Sequence, residues 1–392
     1  MNKVAIYIDT QYSGGGKYQY TKALINAIDS ISSSDLSTTL LYTNKNWEVY
    51  LNSFSKVSRI FLKKSQFLNK VYKLFIILGF FKIVKFFANR FDEEIKFIDN
   101  QNFDLIIFPA GDTIACFINT KIVGVIHDLM HRYERRFRES GGLLRYRFRE
   151  NYFKRILYSS KAILVDSELG ERHVRESYKK INARIFILPY IAPDYIYSQT
   201  LSEEKSINDT MTLFNYIFYP SQFWPHKNHY NLLIALKILK DRGEIINLVL
   251  SGTKEREYWK LKKYIEDNDL KNQVKFLGFI PDSEIIYLYR NALAMVMPTF
   301  FGPTNIPPIE AIWLGCPPIV SNIYGMPHQF ENAAIYFNPE DPVEIADRIE
   351  SVLKNDEYRN NIIKNGENIK MKFSQERFRN DIENILKIVF YN

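Results

Sequence analysis

Short apolar runs, each closed by turn-forming residues and followed by a stretch of helical spacing, recur along this chain. Runs of about four to eight apolar residues read as buried strands, and the 3.6-residue spacing after them reads as helices laid on those strands. In the first half the predicted strands are Met1 to Asp9, Phe103 to Phe108, Ile122 to Ile126, Ala162 to Val165 and Arg184 to Leu188. Helices are predicted over Tyr20 to Ile31, 132 to 155 and 169 to 180. From Pro189 to Thr212 the periodicity dissolves into Ser, Asn, Asp and Glu, the mark of a linker. A second series then begins, with strands at Tyr216 to Tyr219, Asn247 to Leu250, Val274 to Leu277, Ala292 to Met297, Pro318 to Val320 and Ile335 to Phe337. Its helices are Tyr230 to Arg242, Glu255 to Asp267, Asp282 to Asn291, Pro308 to Leu314, Pro342 to Lys354 and Ser374 to Phe390. Two consecutive βα series specify an α/β protein with two Rossmann-like, doubly wound domains facing each other across a cleft. The predicted boundaries are 1–190 for the first domain, 191–212 for the linker and 213–371 for the second domain. Residues 372–392 form a last helix able to return to the first domain.

Composition agrees with two separate cores. The chain has 392 residues, 46% hydrophobic and 15% aromatic, which is too apolar for disorder. Its formal charge of +8 suits an anionic partner: a phosphorylated ligand, an anionic lipid surface or nucleic acid. Cys116 and Cys316 fall in different predicted domains, so no disulfide framework is expected and a reducing compartment is. The first residues read directly as a strand and lack the form of a signal peptide. The longest apolar run, Leu74 to Phe81, falls far short of the roughly 20 residues of a bilayer span, so no transmembrane helix is expected. Residues 56–90 change the picture. Lys63, Lys64, Lys70, Lys73, Lys82, Lys85 and Arg90 interleave with aliphatic and aromatic residues, and at about 100° per residue these lysines share roughly half of a helix surface. That is a basic amphipathic helix, or two broken near Gly79. It either lies on an anionic membrane or packs its apolar face on its own domain.

The candidate chemistry sits at predicted strand ends, where ligands of parallel sheets collect. Gly14, Gly15 and Gly16 follow the first strand and open a helix, a phosphate-cradling arrangement that matches neither the dinucleotide fingerprint nor a P-loop. A flexible turn is the plainer alternative. His127 and Asp128 end a strand, with His131 just beyond; a His there can hydrogen-bond a sugar hydroxyl or position a reacting oxygen, or simply hold a loop. In the second half, Phe300 to Ala311 is a strand–loop–helix junction. Gly302 and the prolines let backbone approach a ligand, and Glu310 in the first helical turn is favoured by the helix dipole or placed to accept sugar hydroxyls. Asp267-Asn268-Asp269 reads as a helix-ending turn rather than a metal site, and no His/Cys cluster has zinc spacing. The arginines between 132 and 155 read as a solvated or anion-facing surface, without a nucleic-acid-binding signature.

Several landmarks resemble the retaining glycosyltransferases of family 4, which have the GT-B architecture. They are Tyr219-Pro220-Ser221-Gln222-Phe223-Trp224-Pro225-His226-Lys227-Asn228, Val274-Lys275-Phe276-Leu277-Gly278-Phe279, Pro298 through Ala311, Gly315 through Asn322, and Asn338-Pro339-Glu340-Asp341-Pro342. In the first half, Gly14 to Gly16 and Val125-Ile126-His127-Asp128-Leu129 belong with them. The forms around Lys227 and Gly302 look most like the bacterial branch that builds O-antigen and other surface polysaccharides. The resemblance implies that Lys227 binds the donor diphosphate, Glu310 the ribose hydroxyls and His127 the transferred sugar. It implies that Gly14 to Gly16 border the diphosphate, with Asp128 and His131 on the acceptor side. Backbone N–H groups around Thr304, Asn305 and Ile306 would hold sugar or phosphate, and the base would sit near Phe279. Two positions depart from the pattern: Gly302 stands where the family usually has a second Glu, and Gln222 where it usually has an Arg, so Lys254 or Arg256 would supply charge.

The implied activity is transfer of a sugar, first mannose from GDP-mannose with dTDP- and UDP-linked donors open, to a lipid-linked oligosaccharide in O-antigen or surface-polysaccharide synthesis. The leaving phosphate would accept the acceptor's proton, with no cofactor and no required metal. The expected place is cytoplasmic, peripheral to the inner face of the cytoplasmic membrane, with no nucleic-acid partner. The alternatives are a nucleotide-sugar epimerase of the same architecture and a noncatalytic, polyanion-binding relative.

Overall fold

Successive side chains of a strand point to opposite faces, and in the N-terminal half both faces carry apolar residues. A computed structural model describes residues 2–11, 15–31, 36–137, 139, 141–197 and 215–391. Along β1 (Asn2–Ile8), Ala5 and Tyr7 enter one core while Val4, Ile6 and Ile8 enter another. β4 (Leu105–Phe108), β5 (Ile122–Ile126) and β6 (Ala162–Val165) divide in the same way. A sheet buried on both faces needs helices on both. Helices Gln66–Leu78, Phe81–Phe91 and Leu143–Ser159 cover one face, and Gly16–Ile31 and Gln375–Tyr391 cover the other. β2 (Leu36–Tyr42), β3 (Ser58–Phe61) and β7 (Arg184–Ile187) complete an all-parallel sheet in the order β3-β2-β1-β4-β5-β6-β7.

The chain divides into two units, Met1–Ile191 with Gln375–Asn392, and Ala192–Ser374. The second holds β8 (Tyr216–Pro220), β9 (Asn247–Ser251), β10 (Val274–Gly278), β11 (Ala294–Met297), β12 (Pro318–Ser321) and β13 (Ile335–Phe337). They form a parallel sheet in the order β10-β9-β8-β11-β12-β13. Each sheet therefore reverses its winding once, between β1 and β4 and again between β8 and β11. A crevice opens at such a reversal, outside the carboxyl ends of the strands.

The structure departs from these expectations in several places. β2 and β3 lie where no strand was expected: β2 carries threonines, with Thr38 buried in the sheet, and β3 is a short edge strand with little buried surface. The predicted helix over 132–155 is two, Met130–Tyr133 and Leu143–Ser159, parted by a segment that ends in Gly141-Gly142. Helix Asp356–Ile369 was not anticipated, because it buries only Ile362, Gly366 and Ile369; Asn355 caps it by accepting from the Tyr358 N–H at 2.8 Å. Of the predicted linker 191–212, Ala192–Tyr197 belongs to the second unit and includes the short helix Asp194–Tyr197, while residues 198–212 lie outside the described residues.

Candidate active site

At the reversal of the second sheet, the loops after β8 and β11 are bound to each other. The His226 carbonyl accepts from the Phe300 N–H at 2.8 Å and from the Thr299 hydroxyl at 3.2 Å. The His226 ring stacks on Phe301 with centroids 4.0 Å apart. Asn228, in the left-handed conformation with φ 58°, spends both amide hydrogens on the carbonyls of Pro298 and Pro339, each at 2.8 Å. Three strand-end loops thus share one buried amide. Between these anchors sits Lys227, half-buried, its backbone held by Trp224 O and Tyr219 Oη. Burial pulls its pKa down to about 8, and among the described residues no carboxylate pairs with its ammonium. A cation that is partly stripped of water and unpaired is a strong site for an anion.

The loop after β9 closes on the same edge. A Cβ on Gly252 (φ 149°) would lie 2.3 Å from the Ser221 carbonyl oxygen, so only glycine lets these backbones meet. Gln222 is exposed, and its Oε1 accepts from Trp224 Nε1 at 3.0 Å, which leaves its NH2 group as a donor. Lys254 is exposed, 5.0 Å above the Tyr258 ring. Phe279, just after β10, is 75% exposed, a flat apolar face at the ligand edge of the sheet.

Glu310 is buried in the first turn of helix Pro307–Trp313. Tyr195 Oη donates to one carboxylate oxygen at 2.8 Å and Tyr289 Oη to the other at 2.7 Å. Burial raises its pKa, and the two tyrosine hydrogen bonds work against that rise. The carboxylate is thereby fixed in orientation, with lone pairs remaining for hydroxyl donors. The backbone donors nearby are fewer than expected. Pro307 and Pro308 have no N–H, and the Asn305 N–H is engaged by Gln329 Oε1 at 3.3 Å. Thr304, Asn305 and Ile306 are all buried. Gly302 has φ 124°, and a Cβ there would lie 2.9 Å from Asn305 Nδ2. Asn305 therefore occupies the space that a side chain at 302 would need, and the missing Glu is a property of the whole loop.

The first sheet's reversal brings together other groups. His127 Nε2 lies 2.8 Å from Pro109 O and Nδ1 2.7 Å from Tyr190 Oη. A carbonyl only accepts, so Nε2 carries the hydrogen and Nδ1 accepts from Tyr190. Burial, then the Lys17 charge, lowers the His127 pKa to about 4, so the ring is neutral at pH 7. Burial alone would raise Asp128; the Arg149 charge and its 2.6 Å hydrogen bond overcome that and hold the carboxyl at about 2. His131 was expected on the acceptor side, but it is wholly buried, with Nε2 on Glu150 Oε1 at 2.8 Å. It belongs to a structural network with Arg132 and Tyr178. Gly15 (φ 106°) and Gly16 open helix Gly16–Ile31, whereas Gly14 lies outside the described residues.

Sequence reasoning missed Tyr190, Tyr195 and Tyr289, which set the orientation of His127 and Glu310; with 26 tyrosines in the chain, nothing local singled them out. It also passed over Asp9 and Asp112 after β1 and β4. Asp9 accepts from Lys64 and from Thr43 Oγ1 at 2.5 Å. Asp112 is buried with Oδ2 unpartnered, and burial, with Asp9 beside it, holds its carboxyl well above the usual carboxylate range. Their position at strand ends was the available signal. Asp267-Asn268-Asp269 is the turn after helix Tyr258–Asp267, with Asp269 paired to Lys240.

Residues 202–369 match the family model of "Glycosyl transferases group 1". The O-antigen chain mannosyltransferase B of Escherichia coli is 30% identical over 145 residues, 37% of this chain and 38% of that protein. The O-antigen chain mannosyltransferase RfbU of Salmonella typhimurium is 33% identical over 127 residues, 32% of this chain and 35% of that protein. The alignments thus span little more than a third of these relatives. In fold, the chain is similar to the Anabaena protein HepE, solved in complex with UDP-glucose, with TM-score 0.70 and 16% identity over 98% of this chain and 99% of that one. The two Rossmann-like folds are those of the GT-B class. Residues 202–369 are thus similar to the glycosyl transferases of group 1, and O-antigen mannosyltransferases are among the proteins this chain resembles.

Proposed function

We propose that this protein is a retaining glycosyltransferase that moves a sugar, mannose from GDP-mannose as the first reading, from a nucleoside diphosphate to a lipid-linked saccharide. It does so at the inner face of the cytoplasmic membrane, in the synthesis of O-antigen or a similar surface polysaccharide. The observation that carries the reading is Lys227: an unpaired, half-buried cation at the reversal of the second sheet. The mannosyltransferase names of the relatives support the sugar. The UDP-glucose bound to HepE supports a nucleotide-sugar ligand.

The chemical problem is to break the bond between sugar and diphosphate. Negative charge grows on the leaving phosphate, and a cation already in place stabilises it without reorganising. Lys227 fills that role, with Gln222 NH2 and Lys254 as further donors. Glu310, held by Tyr195 and Tyr289, receives the ribose hydroxyls, and the exposed Phe279 ring receives the base. Neutral His127 contacts the transferred sugar as a hydrogen-bond donor, which requires its Nε2–H to exchange Pro109 O for the ligand. The leaving phosphate takes the acceptor's proton, so neither a protein base nor a metal is required.

The test is a thermal-shift panel of GDP-, UDP- and dTDP-sugars without added metal. A donor at about 100 times its Kd stabilises the protein by about 2.7 kcal/mol, a readily measured rise in melting temperature. A shift with GDP-mannose alone is the expected result. No shift with any of them removes the proposal.

A further inference from the structure

Helices Gln66–Leu78 and Phe81–Phe91 are apolar on two sides, and their own domain uses only one. Tyr72, Ile76, Val84 and Ala88 are buried in the first unit's core. Hydrogen bonds pin that inner side: Tyr72 Oη to Asp92 Oδ2 at 2.5 Å, Asn151 Nδ2 to Ile76 O at 2.8 Å and Lys85 Nζ to Ile118 O at 2.9 Å. The turn between the helices is closed by Gly79 at φ 80°, with its N–H on Ile76 O and the Phe80 N–H on Phe75 O. Packing on the domain therefore accounts for one face. A second set, Leu74, Phe80, Ile83, Phe86, Phe87 and Phe91, remains more than half exposed. Solvent-exposed clusters of this size mark interaction surfaces.

Charge identifies the occupant. From Val49 to Phe91 the chain has no Asp or Glu. Lys70, Lys73, Lys82 and Arg90 are exposed and make no ion pair among the described residues. Lys64 and Lys85, which sequence alone placed with them, are committed to Asp9 and Ile118 O. No helix among the described residues is long and apolar enough to cross a membrane. A two-fold pairing of this patch with a second copy would set the cations against themselves, since the two helices themselves carry no carboxylate to pair them.

We propose that this two-helix face lies on an anionic phospholipid surface, with the aromatic edge at the boundary of headgroups and acyl chains and the outward cations on the headgroups. It deepens the reading of a lipid-linked acceptor and rests on that reading for the acceptor alone; the docking itself rests on the helices.

The experiment sediments the full chain with vesicles of phosphatidylcholine, with and without phosphatidylglycerol. Each cation near an anionic surface strengthens binding by roughly fivefold, so Lys70→Gln, Lys73→Gln and Lys82→Gln together are expected to weaken binding to the anionic vesicles about a hundredfold. Ile83→Ser, Phe86→Ser and Phe87→Ser together are expected to weaken binding to both vesicle types at least tenfold. All six side chains are exposed, and the melting temperature of each variant verifies its fold. Wild-type binding by either variant, or no sedimentation of the wild type, overturns the proposal. So does a wild-type dimer that the serine variant dissociates while vesicle binding persists, since the face then belongs to a second copy. The nucleotide-sugar shift is read on the same samples. Vesicle binding without that shift defeats the transferase reading and leaves the docking face, and the reverse result does the opposite.

Discussion

Lys227 is charged at neutral pH only against the resistance of its surroundings, and this makes two pH profiles run in opposite directions. A diphosphate binds the protonated amine, so donor affinity is expected to fall as pH rises through about 8. The unliganded protein behaves inversely. The unfolded chain keeps this proton up to roughly pH 10.4, so the folded state gains stability between about pH 8 and that value. In Lys227→Met both profiles lose this component, and donor affinity falls about ten- to hundredfold, the range for one charge-assisted hydrogen bond of about 1.5–3 kcal/mol. Calorimetric titration from pH 7 to 9 checks it; an unchanged slope in the variant removes Lys227 from the diphosphate. Asp112 supplies the contrary case. Its carboxyl is held high by burial and by Asp9, so its contribution to stability is complete below about pH 4 and is lost as pH rises through its folded value. Asp112→Asn is expected to flatten the decline in melting temperature between pH 5 and 8, and an equally steep decline in the variant would assign that slope to other groups. That Glu310 stands in the first turn of a helix after a strand end was legible in the sequence, whereas Lys227 was singled out only by the family resemblance. Their partners were not legible: Tyr289 reaches Glu310 from a different helix, and Asn305 shapes the space at Gly302 through a loop conformation that sequence does not print.

Among the elements, the loops after β8, β9 and β11 act as one piece, because backbone meets backbone there. Gly252 tests this. Its Cβ would strike a main-chain oxygen, which has no rotamer to give way, so Gly252→Ala is expected to cost more than the roughly 1–2 kcal/mol of left-handed strain and to weaken donor binding. Gly243→Ala is the control: φ is 85° and nothing lies within 4 Å of its Cβ, so strain alone applies and donor binding stays as it was. Chemical denaturation of both variants, with donor titration, separates the two, and equal costs would mean that the loops are not rigidly joined. Most strands were readable because they are short, β-branched and bounded by turns. β2 and β3 escaped because a sheet that is already nucleated accepts threonines and a polar edge. Helix Asp356–Ile369 escaped because it packs through Gly366, where a Cβ would come within 3.3 Å of Ile312; a glycine in mid-helix reads as a break until its neighbour is known.

At the scale of the molecule, the two βα series were plain in the sequence. The docking place of the last helix was open, because its target lies at the other end of the chain. Helix Gln375–Tyr391 puts Phe378, Ile382, Ile385, Leu386 and Val389 into the core that also holds Leu24, Ile25 and Ile28 of the first helix. Five such side chains at about 1.5–3 kcal/mol each amount to roughly 8–15 kcal/mol, as much as the whole stability of an ordinary domain. Ending the chain at Ser374 is therefore expected to leave the first unit protease-sensitive while 192–374 survives digestion, as mass spectrometry of the fragments would reveal; a resistant N-terminal half would show that the helix is dispensable. The same arrangement reaches back to synthesis on the ribosome. Domains usually finish in the order in which they are made, but here the unit begun first must wait for a helix translated after the second unit. At about 5–20 residues per second, residues 192–374 alone occupy roughly ten to forty seconds. For that interval the nascent chain carries an uncovered apolar surface at its start, a binding site for chaperones that closes only when residue 389 has cleared the exit tunnel.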